Sequence, residues 1–155
     1  MSAPEWNDDF EDIVAALVAH DARFLIVGAH AMALHGVPRA TGDLDILVEP
    51  TPANAQRVFA ALASFGAPVA APGVTMADFA RAGTVYQMGL PPRRIYILTS
   101  ISGLSFAEAD ATKAVREMPN ELPFLGLEAL IANKRASGRP KDLADLALLE
   151  ARAGK

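Results

Sequence analysis

Asp43-Leu44-Asp45 carries the strongest chemical signal in this chain. Carboxylates alternate with apolar residues along Asp43-Leu44-Asp45-Ile46-Leu47-Val48, and strand side chains point to opposite faces with a period of two. Leu44, Ile46 and Val48 then enter a core while Asp43 and Asp45 share the other face. Their Cα atoms would stand roughly 6.5–7 Å apart, at about 3.3 Å per residue. Carboxylates at that spacing repel each other, and a hard divalent cation relieves the repulsion. Mg²⁺ takes one or two carboxylates together with water and substrate phosphates, so the pair suits a metal-assisted reaction of a nucleoside triphosphate. The solvated face of an amphipathic edge strand would carry the same pattern.

The elements that must position the pair lie just upstream. Phe24-Leu25-Ile26-Val27 is a short apolar run of strand type. Gly28 ends it and opens a helix of small residues from Ala29 to Leu34, closed by Gly36. Pro38 and Gly42 mark a turn. Arg39 and Thr41 fall in that loop, where Arg39 is placed for a structural ion pair or for a phosphate. His30 and His35 are five apart and do not share a helix face, which argues against a His–metal pair. His35 reads as a helix C-terminal cation or packing residue.

The remaining chain alternates helix and strand signals. Phe10, Ile13, Val14, Leu17 and Val18 form an apolar stripe on an N-terminal helix that Asp8 or Asp9 can cap. Thr51-Pro52 starts a helix with its stripe on Ala55, Val58, Phe59 and Leu62, ended by Gly66. A loop with Pro68, Pro72 and Gly73 leads to a short helix over Thr75 to Ala82. Strands are expected at Thr84 to Leu90 and Arg94 to Thr99, antiparallel through Pro91-Pro92-Arg93. A helical turn at Ser105 to Asp110 precedes weak strands at Thr112 to Met118 and Leu122 to Leu125, with a Pro119-Asn120 turn. Two helices close the chain. Leu127, Leu130, Ile131 and Lys134 share a stripe on the first, which leaves the Lys134 ammonium at the end of an apolar face, as a snorkelling lysine would be. Pro140 starts the second, packed by Leu143, Leu146 and Ala147; Lys141, Asp142 and Asp145 are surface charges, an ion-pair network or the wall of a cleft.

Composition narrows the class. At 155 residues and 52% hydrophobic, one domain over 1–155 with a sizeable core is expected. No apolar run approaches the roughly 20 residues needed to span a bilayer. The acidic N-terminus lacks the regions of a signal peptide, and the absence of cysteine excludes disulfides and thiolate metal sites. A cytoplasmic location is expected. A net charge of −4 argues against broad, nonspecific nucleic-acid binding.

The order strand, Gly turn, short helix, Arg39-Ala40-Thr41-Gly42 loop and Asp43-Leu44-Asp45 on a second strand resembles the nucleotidyltransferase superfamily with a minimal polymerase-β-like core, in particular the small members of toxin–antitoxin and abortive-infection systems. Ile131-Ala132-Asn133-Lys134-Arg135 and Arg139-Pro140-Lys141-Asp142-Leu143-Ala144-Asp145-Leu146 add to the likeness, which runs from about Phe24 to Leu149. It implies an α/β (α+β) fold: a mixed β-sheet flanked by helices, with C-terminal helices. It implies Asp43 and Asp45 as catalytic and metal-binding residues, Mg²⁺ or Mn²⁺ as cofactor, and a nucleoside triphosphate met by Gly28, Ala29, Arg39, Thr41 and Lys134. The acceptor would be a hydroxyl of RNA, protein or a small molecule, and a protein partner from a toxin–antitoxin pair is the other implied ligand. Ala29 stands where similar proteins carry Gly or Ser, so a hydroxyl contact to phosphate is lost. Tyr96, in Arg94-Ile95-Tyr96-Ile97-Leu98-Thr99, stands where active members carry a third carboxylate. A phenol, ordinarily ionising near pH 10 (about six units above a carboxylic acid), replaces it poorly as ligand or base. Glu49 and Glu117 are not evident replacements. The alternative function is therefore a catalytically impaired nucleotide- or partner-binding protein.

Overall fold

The computed structural model describes residues 7–39, 42–67, 74–89, 93–117 and 121–154. Thr41, the Pro68–Gly73 loop, Pro91-Pro92 and Pro119-Asn120 lie outside them. Helix α1 spans Asp8–Ala19. Its cap is Asn7, whose side-chain oxygen accepts the Phe10 N–H at 2.9 Å. The cap thus sits one residue before the expected Asp8 or Asp9. Those acids fall in the first turn, where the helix dipole favours them. Phe10, Ile13, Val14 and Leu17 are buried, whereas Val18 is 51% exposed. One residue past Leu17 is about 100° around the helix, which carries Val18 off the stripe.

Strand β1 (Phe24–Val27) is buried throughout and feeds directly into α2 (Gly28–Leu34). Strand β2 covers Leu44–Val48 and α3 covers Pro52–Phe65, with Thr51 as cap, Pro52 at its start and a left-handed Gly66 at its end. The short helix after it is a 3-10 turn, Met76–Ala80. Next come β3 (Val85–Met88), β4 (Ile95–Leu98), α4 (Phe106–Ala111), β5 (Ala114–Arg116), β6 (Leu122–Phe124), α5 (Leu127–Ser137) and α6 (Pro140–Ala153). Among the described residues no helix is long and apolar enough to cross a membrane.

The six strands form one sheet in the order β3-β4-β2-β1-β6-β5. β1 runs antiparallel to β2 and parallel to β6, β2 runs parallel to β4, and the outer pairs β3–β4 and β5–β6 are antiparallel. The expected mixed sheet flanked by helices is the observed α+β architecture. Strand parity and register divide it into two faces. Leu44, Ile46, Ile26, Ile95 and Ile97 share one face, with Tyr86 beside Ile97. Phe79 of the 3-10 turn meets both Tyr86 and Phe59 of α3 edge to face, so this side is the apolar core under α3. The opposite face carries Asp45 and Tyr96.

The central hairpin is clamped from α3. Asn54 is 1% exposed. Its carbonyl oxygen accepts the Arg23 N–H at 2.7 Å, and its amide donates to the Arg23 and Glu49 carbonyls at 3.0 Å each. One side chain thereby satisfies three backbone groups where β1 begins and β2 ends. We expect Asn54→Ala to cost on the order of 2 kcal/mol, because the Arg23 N–H loses its acceptor while the Arg23 and Glu49 carbonyls keep only their bonds from the Glu49 and Thr51 N–H groups. Urea unfolding of the two proteins checks it; a loss below about 1 kcal/mol would show that water replaces the clamp.

Candidate functional site

Register builds the floor of a cleft on the second face. Asp45 lies opposite Val27 of β1 on one side and Tyr96 of β4 on the other, so the three side chains stand in one row across the sheet. Asp43 precedes β2 instead of lying within it, a correction to its expected place on the strand. The reason is local: the Asp43 carboxylate accepts the Arg94 N–H at 2.9 Å, while Leu44 N–H bonds the Arg94 carbonyl and begins the ladder. Asp43, Asp45 and Tyr96 line the same cleft, of about 900 Å³.

Gly28 borders the pair. Its φ is +66°, in the left-handed region that disfavours other residues. A Cβ there would collide with the Asp45 carboxylate. Glycine thus serves two needs, a turn from strand straight into helix and room for the Asp45 carboxylate beside it. Helix α2 anchors the surroundings. His30 is buried, meets Phe10 edge to face, and hydrogen-bonds the Asp43 backbone. Burial pushes its pKa down, against the effect of that bond. His35 caps α2, and its Nε2 donates to the Leu125 carbonyl at 2.8 Å. The two histidines have separate partners.

The far wall comes from α5 and α6. Asn133 holds α5 to the chain after β4 through a 2.9 Å bond to the Ser102 carbonyl. Lys134 Nζ lies 3.0 Å from Asp145 and 3.5 Å from Asp142. Arg39 reaches Asp145 at 3.1 Å, and Arg139 donates to Asp142 at 2.7 and 3.3 Å. The α6 residues named above are thus both an ion-pair network and a cleft wall. The inward face of α6 is Asp142, Asp145, Leu146 and Leu149; Leu143, expected to pack, is 50% exposed, and Ala147 is exposed too. The reason is that α5 and the Arg39 loop present cations to α6, and the helix turns its acids toward them. Lys134 is no snorkelling lysine, since its ammonium ends on carboxylates and not in water. Arg39 forms the structural ion pair, with α6 and not with the Asp43–Asp45 pair. Gly28, Ala29, Arg39, Lys134, Asp43 and Asp45 all line the one cleft; Thr41 lies outside the described residues.

Electrostatics separate the acids. The Asp45 carboxyl is pushed up from an ordinary 3.8 to about 6, chiefly by burial, then by the Asp43 charge, against the pull of Lys141 and Lys134. Asp142 is held below the ordinary carboxylate range, chiefly by its hydrogen bond from Arg139. The Asp43–Asp45 pair offers hard oxygen donors that repel each other, which fits a hard divalent cation. Among the described residues no group of three or more His, Cys, Asp or Glu is arranged around a metal position, so the site offers a cation two carboxylates and leaves further positions to water and ligand.

Sequence patterning missed His30 as the anchor of Asp43 and the depth of Asp142 and Asp145. The i, i+3 spacing of those two acids, opposite Lys134, was the available signal.

A pH dependence follows from Asp45. A carboxyl whose folded pKa exceeds its unfolded value lowers stability as pH rises from about 4 to about 6, because the folded state must release a proton it holds more tightly. In metal-free buffer, Asp45→Asn should raise stability at pH 8 by about 2–3 kcal/mol and change it little at pH 4. Thermal melts at the two pH values check this, and an equal effect at both would mean that the charge is not the cause.

No family model matches the chain, and no curated protein matches it. A solved structure does: the crystal structure of a candidate nucleotidyltransferase from Thermotoga maritima, with a TM-score of 0.58 and 16% sequence identity over 94% of this chain and 90% of that one. The chain shares the fold of that protein over nearly its whole length.

Proposed function

We propose that the chain transfers a nucleotide from a nucleoside triphosphate to a hydroxyl acceptor. The observation that carries this reading is the half-buried Asp43–Asp45 pair on the cleft floor, where the Asp45 carboxylate packs against a glycine that has no side chain to displace it. The shared fold supports nucleotidyl transfer at that coarse level. Asp43 and Asp45 would hold the divalent cation, Mg²⁺ or Mn²⁺. A bound ion supplies charge neutralisation at the phosphate oxygens and orientation of the leaving group. Gly28 and Ala29 let the backbone approach the phosphates. His30 and the Arg94 N–H fix Asp43 so that its carboxylate need not reorganise when a ligand arrives. In the reaction the acceptor oxygen bonds the α-phosphorus, the bond to the bridging oxygen breaks, and pyrophosphate leaves while the hydroxyl proton passes to solvent. Positioning and neutralisation account for most of such chemistry.

Replacing both Asp43 and Asp45 by Asn should abolish Mg²⁺-dependent triphosphate binding and leave the fold intact. Calorimetric titration of the wild type and the double variant with a triphosphate and Mg²⁺ tests it. Equal affinity in both would reject the acidic pair as the site.

A second reading rests on Tyr96. This residue faces Asp45 across the β2–β4 pair, and the family resemblance implies a third carboxylate at its position. A phenol is a poorer metal ligand and base than a carboxylate, which favours a nucleotide-binding or partner-binding protein of a toxin–antitoxin pair with slow or absent transfer. Tyr96→Asp should then bind more divalent cation per chain than the wild type and transfer labelled nucleotide faster to whichever acceptor is used. A wild type that already binds two ions and turns over briskly would eliminate this second reading.

A further inference from the structure

Among the described residues four cations line the cleft, and three are committed. Lys134 lies between Asp142 and Asp145, Arg39 pairs with Asp145, and Arg139 pairs with Asp142. The Lys134 side chain is only 12% exposed, and the carboxylates it meets are 1% and 2% exposed. Lys141 differs. It sits in the first turn of α6, is exposed, lines the cleft, and has no ion pair among the described residues.

We propose that Lys141, and not Lys134, is the cation that receives the phosphates of a ligand in this cleft, while Lys134 is an internal strut joining α5 to α6. The inference rests on the nucleotide reading above and names a residue for its triphosphate. To meet a phosphate, Lys134 would have to give up its contacts with two buried carboxylates, leaving Asp145 to Arg39 and Asp142 to Arg139 alone, and giving up buried ion pairing is unfavourable. Lys141 gives up water alone. Its compact ammonium offers three donors on a flexible stem suited to a mobile phosphate chain. Arg139 completes the seat. Its side chain is 70% exposed, and Nε and one Nη are used on Asp142, which leaves other guanidinium donors at the cleft edge. Neighbouring cations of this kind select a polyphosphate chain over a single nucleoside.

The test uses the full chain and inorganic tripolyphosphate without added metal, followed by a nucleoside triphosphate with Mg²⁺. Calorimetry is run on the wild type, Lys141→Gln, Lys141→Arg and the remote surface variant Lys113→Gln. Lys141→Gln should weaken tripolyphosphate binding on the order of tenfold, as for loss of one charge-assisted hydrogen bond. Lys141→Arg should restore most of it and Lys113→Gln should change nothing, with thermal midpoints unaltered in all three. In contrast, Lys134→Gln should lower the thermal midpoint even without ligand. If the wild type binds tripolyphosphate and Lys141→Gln binds it equally well, the assignment of Lys141 is overturned and the nucleotide reading stands. A Lys134→Gln protein with an unchanged midpoint but weakened tripolyphosphate binding would also overturn it. A wild type that binds neither tripolyphosphate nor the Mg²⁺–nucleotide overturns both.

Discussion

Asp142 and Asp145 are almost completely withdrawn from water, and much of the far wall depends on how their charge is met. A buried carboxylate without a partner carries a large desolvation penalty. Here three cations converge from three segments: Arg39 from the loop before β2, Lys134 from the end of α5 and Arg139 from the start of α6. The network thus fixes the angle between the last two helices and ties both to the loop that leads into Asp43. Apolar packing of Leu146 and Leu149 supplies burial energy but no direction. The ion pairs supply direction, and they explain why α6 turns its acids inward and leaves Leu143 and Leu148 half exposed.

The other wall is fixed by hydrogen bonds instead of charge. The Arg94 N–H and the His30 ring hold Asp43 from two sides, and His35 ties the end of α2 to the Leu125 carbonyl. The Leu125 N–H bonds Ile26 in turn, so the end of α2 is linked to the β1 strand that precedes it. A Gly28 side chain would break into this arrangement at Asp45. The cleft floor is therefore rigid where the carboxylates sit, which is what a site needs if its polar groups are to act without first reorganising.

Much of this could be read from residues in order, because the chain punctuates its elements with strong local signals. Gly28, Thr51-Pro52, Gly66 and Pro140 each mark a boundary close to where it occurs, and alternation along Asp43 to Val48 places Asp45 on the cleft face and Ile46 in the core. The failures share a cause. Along α6, apolar residues occupy more than one face, so Leu143-Leu146-Ala147 and Leu146-Leu149 are both acceptable stripes by hydrophobicity. What decides between them is the position of Lys134, Arg39 and Arg139, contributed partly by residues about a hundred positions away. Asn7 and Asp8 are equivalent as caps by chemistry, and only the backbone path separates them. Lys134 reads as a snorkelling lysine from the sequence because its carboxylate partners lie on another helix. Long-range pairing of charges is the information that a pattern along one element does not contain.

Among the described residues the cleft is lined by two pairs of carboxylates, and their contrast distinguishes structure from site. Asp142 and Asp145 are the more deeply buried, yet three cations surround them and Asp142 is held below the ordinary carboxylate range. Asp43 and Asp45 are more open to the cleft, yet Asp45 is pushed up to about 6, with Asp43 adding to the effect of burial. Depth alone would have ranked the pairs the other way. The first pair is a finished electrostatic unit in the folded protein, whereas the second keeps repulsion that folding leaves in place. Two acids that repel each other across one cleft do little for folding, and groups with perturbed pKa values concentrate at functional sites. The same reasoning ranks the lysines. Lys134 belongs to the finished unit, and Lys141 stands in the cleft with its charge still to be matched.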